Sequence, residues 1–253
     1  MFPAETLMKS KPANRHHPTA KPPVASTRTE ASRKRIFLVD DHPMMRDGMG
    51  RLLDSEPGFM CCGGAKSAEE AISEIPRCNP DLVITDITLP KRSGLELIKD
   101  LAVTHPDIPV FVYSMHDESF YAERALRAGA RGYLMKEAGS EKMLDAIRHV
   151  LGGEISVSPV IAAKILKVFS KPQPRSSHSP LQNLTDREFD VFQLIGQGKS
   201  TKEIAAQLQL SHKTVAVHRG HIKEKLGLGS SSELVHQAIR WAESSSTPRQ
   251  AGA

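Results

Sequence analysis

Cysteine is scarce, with only Cys61, Cys62 and Cys78 in 253 residues. An odd number, two of them adjacent on an apolar stretch, fits neither a disulfide framework nor zinc-site spacing. They read as reduced core cysteines of a cytoplasmic protein. Long apolar runs are missing too. No stretch approaches the ~20 residues that a membrane span requires, so no membrane role is expected. The opening residues 1–34 hold no continuous apolar segment, which argues against a secretory signal. Their Pro, Ser, Thr, Ala and basic residues read as a disordered arm. What is present, 39% apolar content over this length, suffices for two compact domains with separate cores.

Charge is distributed unevenly. Residues 1–35 carry eight Lys and Arg against two acids, residues 36–170 fifteen against twenty, and residues 181–241 eight against six. An acidic middle between basic ends assigns any polyanion contact to the ends. The spacer "KPQPRSSHSP" (171–180), with three prolines and three serines, marks a domain boundary.

Before that spacer, apolar runs alternate with amphipathic segments. The runs "RIFLVD" (35–40), "FMCCGGA" (59–65), "DLVITDI" (81–87), "PVFVYSM" (109–115) and "GYLMK" (132–136) read as strands. Helix-like patterns lie at 43–54, 67–76, 94–104, 119–128 and 140–151. Strict alternation predicts a five-stranded parallel sheet with helices on both faces, and continuous rather than alternating apolar strands fit that burial. Ligands in such a sheet sit beyond the carboxyl ends of the strands. Asp40, Asp41, Asp86, Ser114 and Lys136 all fall at such ends. Adjacent Asp40 and Asp41 repel each other and are costly to bury without a cation. Three converging carboxylates form a hard oxygen site of the kind Mg²⁺ accepts. Taken singly, Asp86 is a strand-end cap and Lys136 a snorkelling lysine; their convergence in strand order argues against both readings.

"FLVDDHPMMRDGM", "DLVITDITLPKRSGLELI", "VFVYSMHDE" and "ARGYLMKE" resemble the flavodoxin-like receiver domain of bacterial two-component response regulators, over residues 35–155. The resemblance implies that Asp86 accepts a phosphoryl group from a sensor histidine kinase. It implies that Asp40, Asp41, Asp86 and the Thr88 carbonyl hold Mg²⁺, with Mn²⁺ as a substitute. Ser114 and Lys136 would bind phosphoryl oxygens, and Tyr133 would be the aromatic that reorients with Ser114. Ser114 stands where the family more often has Thr, and the "PKRSG" loop is more basic than is common. The competing class is an aspartyl-phosphate phosphohydrolase of the haloacid dehalogenase type. That chemistry wants a second aspartate two residues after the nucleophile; Thr88 stands there instead. No turnover enzyme is expected beyond slow self-dephosphorylation.

After the spacer, "LTDREFDVFQLIGQGKSTKEIAAQLQLSHKTVAVHRGHIKEKLGLGSSSELVHQAIRWA" contains four helical patterns. Thr185 with Glu188 makes a capping box, Ser200 or Thr201 opens the second helix, Ser211 caps the third and Ser232 the fourth. Short helices joined by tight turns suggest a helix-turn-helix. On the third helix Val215, His218, Ile222 and Leu226 form the core stripe, with His218 expected as a hydrogen-bonded core-edge residue. Gly220, opposite, costs ~1 kcal/mol of helix propensity against Ala and so implies close approach to another molecule.

This region resembles the LuxR-type helix-turn-helix through "LTDRE", "GKSTKEIA", "LSHKTVAVH" and "IKEKLG", and the whole chain resembles the NarL/FixJ class of response regulators. The implied DNA contacts are Lys202, His212, Lys213, Thr214, Ala216, Val217, Arg219, Gly220 and Lys223. Ala216 and Gly220 occupy positions that are often basic or polar in the class, which shifts readout toward thymine methyls and DNA shape. The expected organisation is a disordered arm (1–34), an α/β receiver (35–155), and a linker helix with flexible spacer (156–180). An all-α DNA-binding domain (181–242) and a disordered tail (243–253) complete it. Expected partners are the kinase, double-stranded promoter DNA, RNA polymerase and a second copy, dimerising when phosphorylated or on DNA, in a bacterial cytoplasm. The acidic receiver is expected to sit against the output domain and mask its basic surface.

Overall fold

The computed structural model describes residues 33–170 and 180–246. The expectations for residues 1–32, 171–179 and 247–253 fall outside the described residues.

Five strands form: β1 (Lys34–Val39), β2 (Phe59–Ala65), β3 (Leu82–Thr85), β4 (Val110–Ser114) and β5 (Gly132–Met135). They alternate with α1 (Pro43–Ser55), α2 (Ala68–Cys78), α3 (Gly94–Thr104), α4 (Glu118–Ala128) and α5 (Ser140–Leu151). All pairings are parallel, in the order β2-β1-β3-β4-β5. The strands begin and end within one or two residues of the quoted apolar runs. β3 and β4 are buried at every position, which is why neither shows alternation. Strand order reverses between β1 and β3, and this brings the carboxyl ends of those two strands side by side.

The cysteines are free and packed against the cores, as expected, but none is fully inside one. Cys61 and Cys62 lie on edge strand β2 and Cys78 ends α2, all three free and only half-buried. The β1–β2 register slips between Ile36↔Cys61 and Phe37↔Gly63, leaving Cys62 as a bulge residue. Burial pushes the Cys62 thiol up to about 12, so it stays protonated and unreactive at neutral pH.

The remaining helices are α6 (Pro159–Ser170), α7 (Asp186–Gly196), α8 (Thr201–Gln207), α9 (His212–Leu226) and α10 (Ser231–Ser246). Capping boxes at Thr185/Glu188 and Ser200/Glu203 start α7 and α8, and Ser211 caps α9. Ser230, not Ser232, opens α10: its hydroxyl accepts from the Glu233 N–H, and Glu233 returns a bond to the Gly229 N–H. In this run of serines the capping hydroxyl is the one three residues before the acid. α10 also runs to Ser246, into the stretch expected as tail.

The expectation of separate cores holds on one sheet face only. Ile36, Leu38, Met49, Leu53 and Ile147 close the α1/α5 face by themselves. On the other face the core continues from Val83 and Val112 through Tyr121 into Phe189, Phe192 and Ile204 of the output helices. α4 provides the junction. The Tyr121 hydroxyl lies 2.7 Å from both Asp190 Oδ1 and Gln193 Oε1. Arg124 donates to the Leu181 and Leu184 carbonyls and stacks over the Phe189 ring at 4.2 Å. Lys99 pairs with Asp186 at 2.7 Å, and Phe120 meets Trp241 at 4.7 Å.

Candidate functional site

At the carboxyl edge of the sheet, the β1–α1 turn presents Asp40 and Asp41, the β3 end presents Asp86, β4 ends in Ser114, and Lys136 follows β5. Lys136 Nζ lies 2.5 Å from both Asp40 Oδ2 and Asp86 Oδ2, with all three side chains nearly inaccessible. Burial alone lowers the Lys136 ammonium, but the charges and hydrogen bonds of Asp86 and Asp40 outweigh it and hold it above its ordinary value. On the other oxygen, Asp86 Oδ1 accepts from Ser114 Oγ at 2.6 Å and from the Ile87 N–H at 2.6 Å.

Asp41 has one oxygen left without a hydrogen bond. Its Oδ1 is buried and lies 2.8 Å from His42 Nδ1, a charge contact when that ring is protonated. Burial pushes its carboxyl up, His42 opposes this, and the neighbouring Asp40 and Asp86 charges add to it. Carboxylate oxygens of Asp40 and Asp41 and a nitrogen of His42 lie within 4.8 Å of one another. An orphaned carboxylate oxygen beside two further carboxylates fits a hard divalent cation.

Tyr133 does not stand at the surface. It is 1% exposed, and its hydroxyl donates to the His116 carbonyl at 2.8 Å. His116 Nε2 in turn lies 2.7 Å from Thr88 Oγ1.

In the output helices, Val215 and Ile222 of α9 are fully buried and Leu226 partly so, as the stripe requires. His218 differs from expectation: its buried Nδ1 makes no hydrogen bond. Burial, with Arg187 nearby, pushes this imidazole below its ordinary value, so it stays neutral at pH 7. Across the helix, His212, Lys213, Ala216, Val217 and Gly220 are exposed, as is Lys202 on α8, while Thr214, Arg219 and Lys223 are half-buried. A Cβ on Gly220 would meet nothing within 4 Å, so no packing inside the molecule calls for a glycine there.

Residues 36–148 match the response regulator receiver domain family, and residues 182–238 match the bacterial regulatory proteins of the luxR family. The response regulator GacA of Pseudomonas viridiflava is 38% identical over 207 residues, covering 81% of this chain and 95% of that one. The chain belongs to the NarL/FixJ class of response regulators. A LuxR-family response regulator structure from Aurantimonas is 34% identical with a TM-score of 0.51, covering 55% of this chain and all of that one. RcsB of Salmonella enterica serovar Typhimurium, solved on promoter rprA, shares the fold at 21% identity and a TM-score of 0.54, over 82% of this chain and 98% of that one. Family membership makes the chain a transcription regulator with a receiver and a LuxR-type DNA-binding domain, and implies a histidine kinase partner.

In this response regulator the receiver does contact the output domain, but not as a cover over its basic surface. The grip falls on the Leu181 and Leu184 carbonyls, α7 and the end of α10, and Thr214 and His218 of α9 line a cleft shared with Lys91, Arg92, Glu96 and Lys99 of the receiver. Val217 on the reading face remains 48% exposed. The basic "PKRSG" loop also has its partners within the chain. Arg92 pairs with Asp100 at 2.6 Å, and the Lys91 carbonyl, at a residue with φ of 63°, faces Arg187 Nη2 at 3.4 Å.

Sequence reasoning missed Gly94, His116, Tyr121 and Asp190. Asp190 interrupts the apolar run "EFDVFQLI", and that anomaly was the one available signal. Glu188 serves the fold beyond its cap. Burial pushes its carboxyl up, but Lys225 at 2.7 Å and the Thr185 N–H hold it below 4.5. A depressed folded value stabilises above the unfolded one and is lost as pH falls through the folded value. Glu188→Gln is therefore expected to cost about 1–2 kcal/mol at neutral pH. In thermal melts from pH 7 to 3.5 that gap closes only below about pH 4.5, where protonation begins in the unfolded chain.

Proposed function

We propose that Asp86 is the phosphoacceptor of a receiver domain spanning 35–155, whose phosphorylation controls promoter binding by a domain spanning 181–242. The observation that carries this reading is Lys136 bridging Asp40 and Asp86 while Ser114 holds the other Asp86 oxygen. A carboxylate is a poor nucleophile in water, and these side chains supply what it lacks. The phosphohistidine N–P bond breaks as an Asp86 oxygen bonds to phosphorus. Lys136 leaves Asp86 Oδ2 for a phosphoryl oxygen, where its charge opposes the gathering negative charge. Ser114 turns its proton from Asp86 to a second phosphoryl oxygen, and Tyr133 packs behind it.

Asp40, Asp41, Asp86 and the Thr88 carbonyl would hold Mg²⁺, or Mn²⁺ in its place, and the unbonded Asp41 oxygen supports that donor set. When bound, the cation neutralises charge on the phosphoryl group. No described helix is long and apolar enough to cross a membrane, and the reading keeps the protein in the bacterial cytoplasm as a switch without substrate turnover.

On DNA, Lys202, Lys213, Thr214, Arg219 and Lys223 would anchor phosphates while His212, Ala216, Val217 and Gly220 approach base edges. One such module makes few contacts, so two copies on adjacent half-sites are required, beside which RNA polymerase is recruited or blocked. Lys213→Ala is expected to weaken binding evenly across sequences and to lower the salt slope of log K by about 1, read by titration at several salt concentrations. The central test is labelling with radioactive acetyl phosphate and Mg²⁺. The wild type takes one label and Asp86→Asn takes none; strong labelling of Asp86→Asn would defeat the assignment.

A further inference from the structure

A continuous set of contacts leads from Asp86 to the first helix of the output domain, and Tyr133 is only its side branch. Ser114 Oγ bonds Asp86, and the His116 N–H lies 3.4 Å from that same Oγ. The His116 imidazole bonds the Thr88 hydroxyl at one edge, and its ring packs on Tyr121, centroids 4.5 Å apart. Tyr121 is completely buried, and its hydroxyl sits between Asp190 and Gln193 of α7. Tyr133, already buried with its hydroxyl on the His116 carbonyl, has no exposed position from which to swing inward.

We propose that Tyr121 is the latch holding the output domain on the receiver, and that His116 is the coupling residue through which phosphorylation releases it. The proposal rests on the assignment of Asp86 as phosphoacceptor. A phosphoryl group on Asp86 adds oxygens that compete for the Thr88 hydroxyl and the backbone N–H groups of the 115–117 turn. His116 loses its Thr88 partner and shifts with that turn. Its ring then no longer seats Tyr121, and the shared hydroxyl leaves α7. Asp190 is the acidic partner of the latch. Burial pushes its carboxyl up, and Arg187 Nη1, 3.5 Å away, opposes that shift. Domain closure is a two-state element, and the Asp86 charge biases it through these side chains.

The chain has a built-in reporter. Its single tryptophan, Trp241, packs at the junction against Phe120 of α4, beside Phe189 and Phe192. Domain separation removes Phe120 and admits water, which moves the emission to longer wavelength. In the full chain, acetyl phosphate with Mg²⁺ is expected to shift wild-type emission to the red. Tyr121→Phe is expected to show that red-shifted spectrum before any phosphoryl donor is added, while still labelling at Asp86. His116→Phe drops the Thr88 bond whose loss is the trigger; it is expected to label at Asp86 and to be red-shifted before any phosphoryl donor is added. A Tyr121→Phe protein with wild-type emission and response would overturn the latch. A His116→Phe protein that responds like the wild type would overturn the coupling. Asp190→Asn, read in the same way, carries the test if Tyr121→Phe folds poorly by circular dichroism. Failure of the wild type to label at all would instead refute the phosphoacceptor assignment beneath the proposal.

Discussion

Lys136→Ala is expected to lose at least about 100-fold in the rate of labelling by acetyl phosphate, and at the same time to destabilise the fold. The ammonium is 5% exposed and is shared by two carboxylates that are themselves almost inaccessible. Removing one partner of a buried ionic cluster costs about 3–5 kcal/mol, because the remaining charges keep their desolvation cost without compensation. Here Asp40 and Asp86 would be left facing each other, with Asp41 beside them. Mg²⁺ is expected to return much of the lost stability, since a ligand at 100 times its dissociation constant stabilises by about 2.7 kcal/mol. It is not expected to return the rate, because a cation held by the carboxylates cannot stand where Lys136 meets the phosphoryl oxygen. Calorimetry with and without Mg²⁺, paired with labelling time courses, separates the two effects. A variant that melts like the wild type without Mg²⁺ would contradict the shared-cation geometry.

Gly94→Ala is expected to be more damaging to the fold than any other single methyl addition near the site. A Cβ at Gly94 would lie 1.9 Å from the carbonyl oxygen of Asp86 and 3.0 Å from the Ile87 Cα. Those atoms are backbone, so no rotamer relieves the overlap. α3 starts here because the Ser93–Glu96 capping box fixes its first turn, and the Gly94 N–H donates to the Ile87 carbonyl at 2.7 Å. The helix therefore seats directly on the peptide that carries Asp86. Moving either partner costs more than the usual 1–3 kcal/mol of overpacking and displaces the Asp86 carboxylate by a large part of the overlap. We expect a loss of about 3 kcal/mol or more in urea melts together with strongly reduced labelling. Normal labelling at wild-type stability would show that the β3–α3 connection is softer than this packing implies.

The carboxyl-edge cluster was legible in the sequence because each member follows a strand whose apolar run announces itself. Asp40, Asp86, Ser114 and Lys136 are set by where those continuous apolar runs end. Ser211 and Thr185 were legible for a similar reason, since a cap acts within three residues. Tyr121 and Asp190 were not, because their contact spans 69 residues and neither helix period discloses which face meets another domain. Tyr121 reads locally as one more core aromatic on the apolar face of α4. The Ser232 expectation failed for a narrower reason: in "GSSSE" three hydroxyls compete, and only the spacing back from Glu233 selects Ser230. Gly94 left only a faint trace, a weak helix former placed at the first position of a well-capped helix.

The core running unbroken from Val83 to Ile204 has a consequence for how the molecule comes apart. With Tyr121 and Phe189 shared between the halves, neither half presents its own water-facing boundary at α4 and α7. Heat must then dissolve both halves together, and the unmodified chain is expected to give a single calorimetric peak whose van't Hoff and calorimetric enthalpies agree. Once the halves part, each has only its own packing to rely on. The smaller helical half, with less surface to bury per residue, then melts first and alone. A signal that enters as one phosphoryl group would thereby leave a second trace in the same molecule, as one transition becoming two.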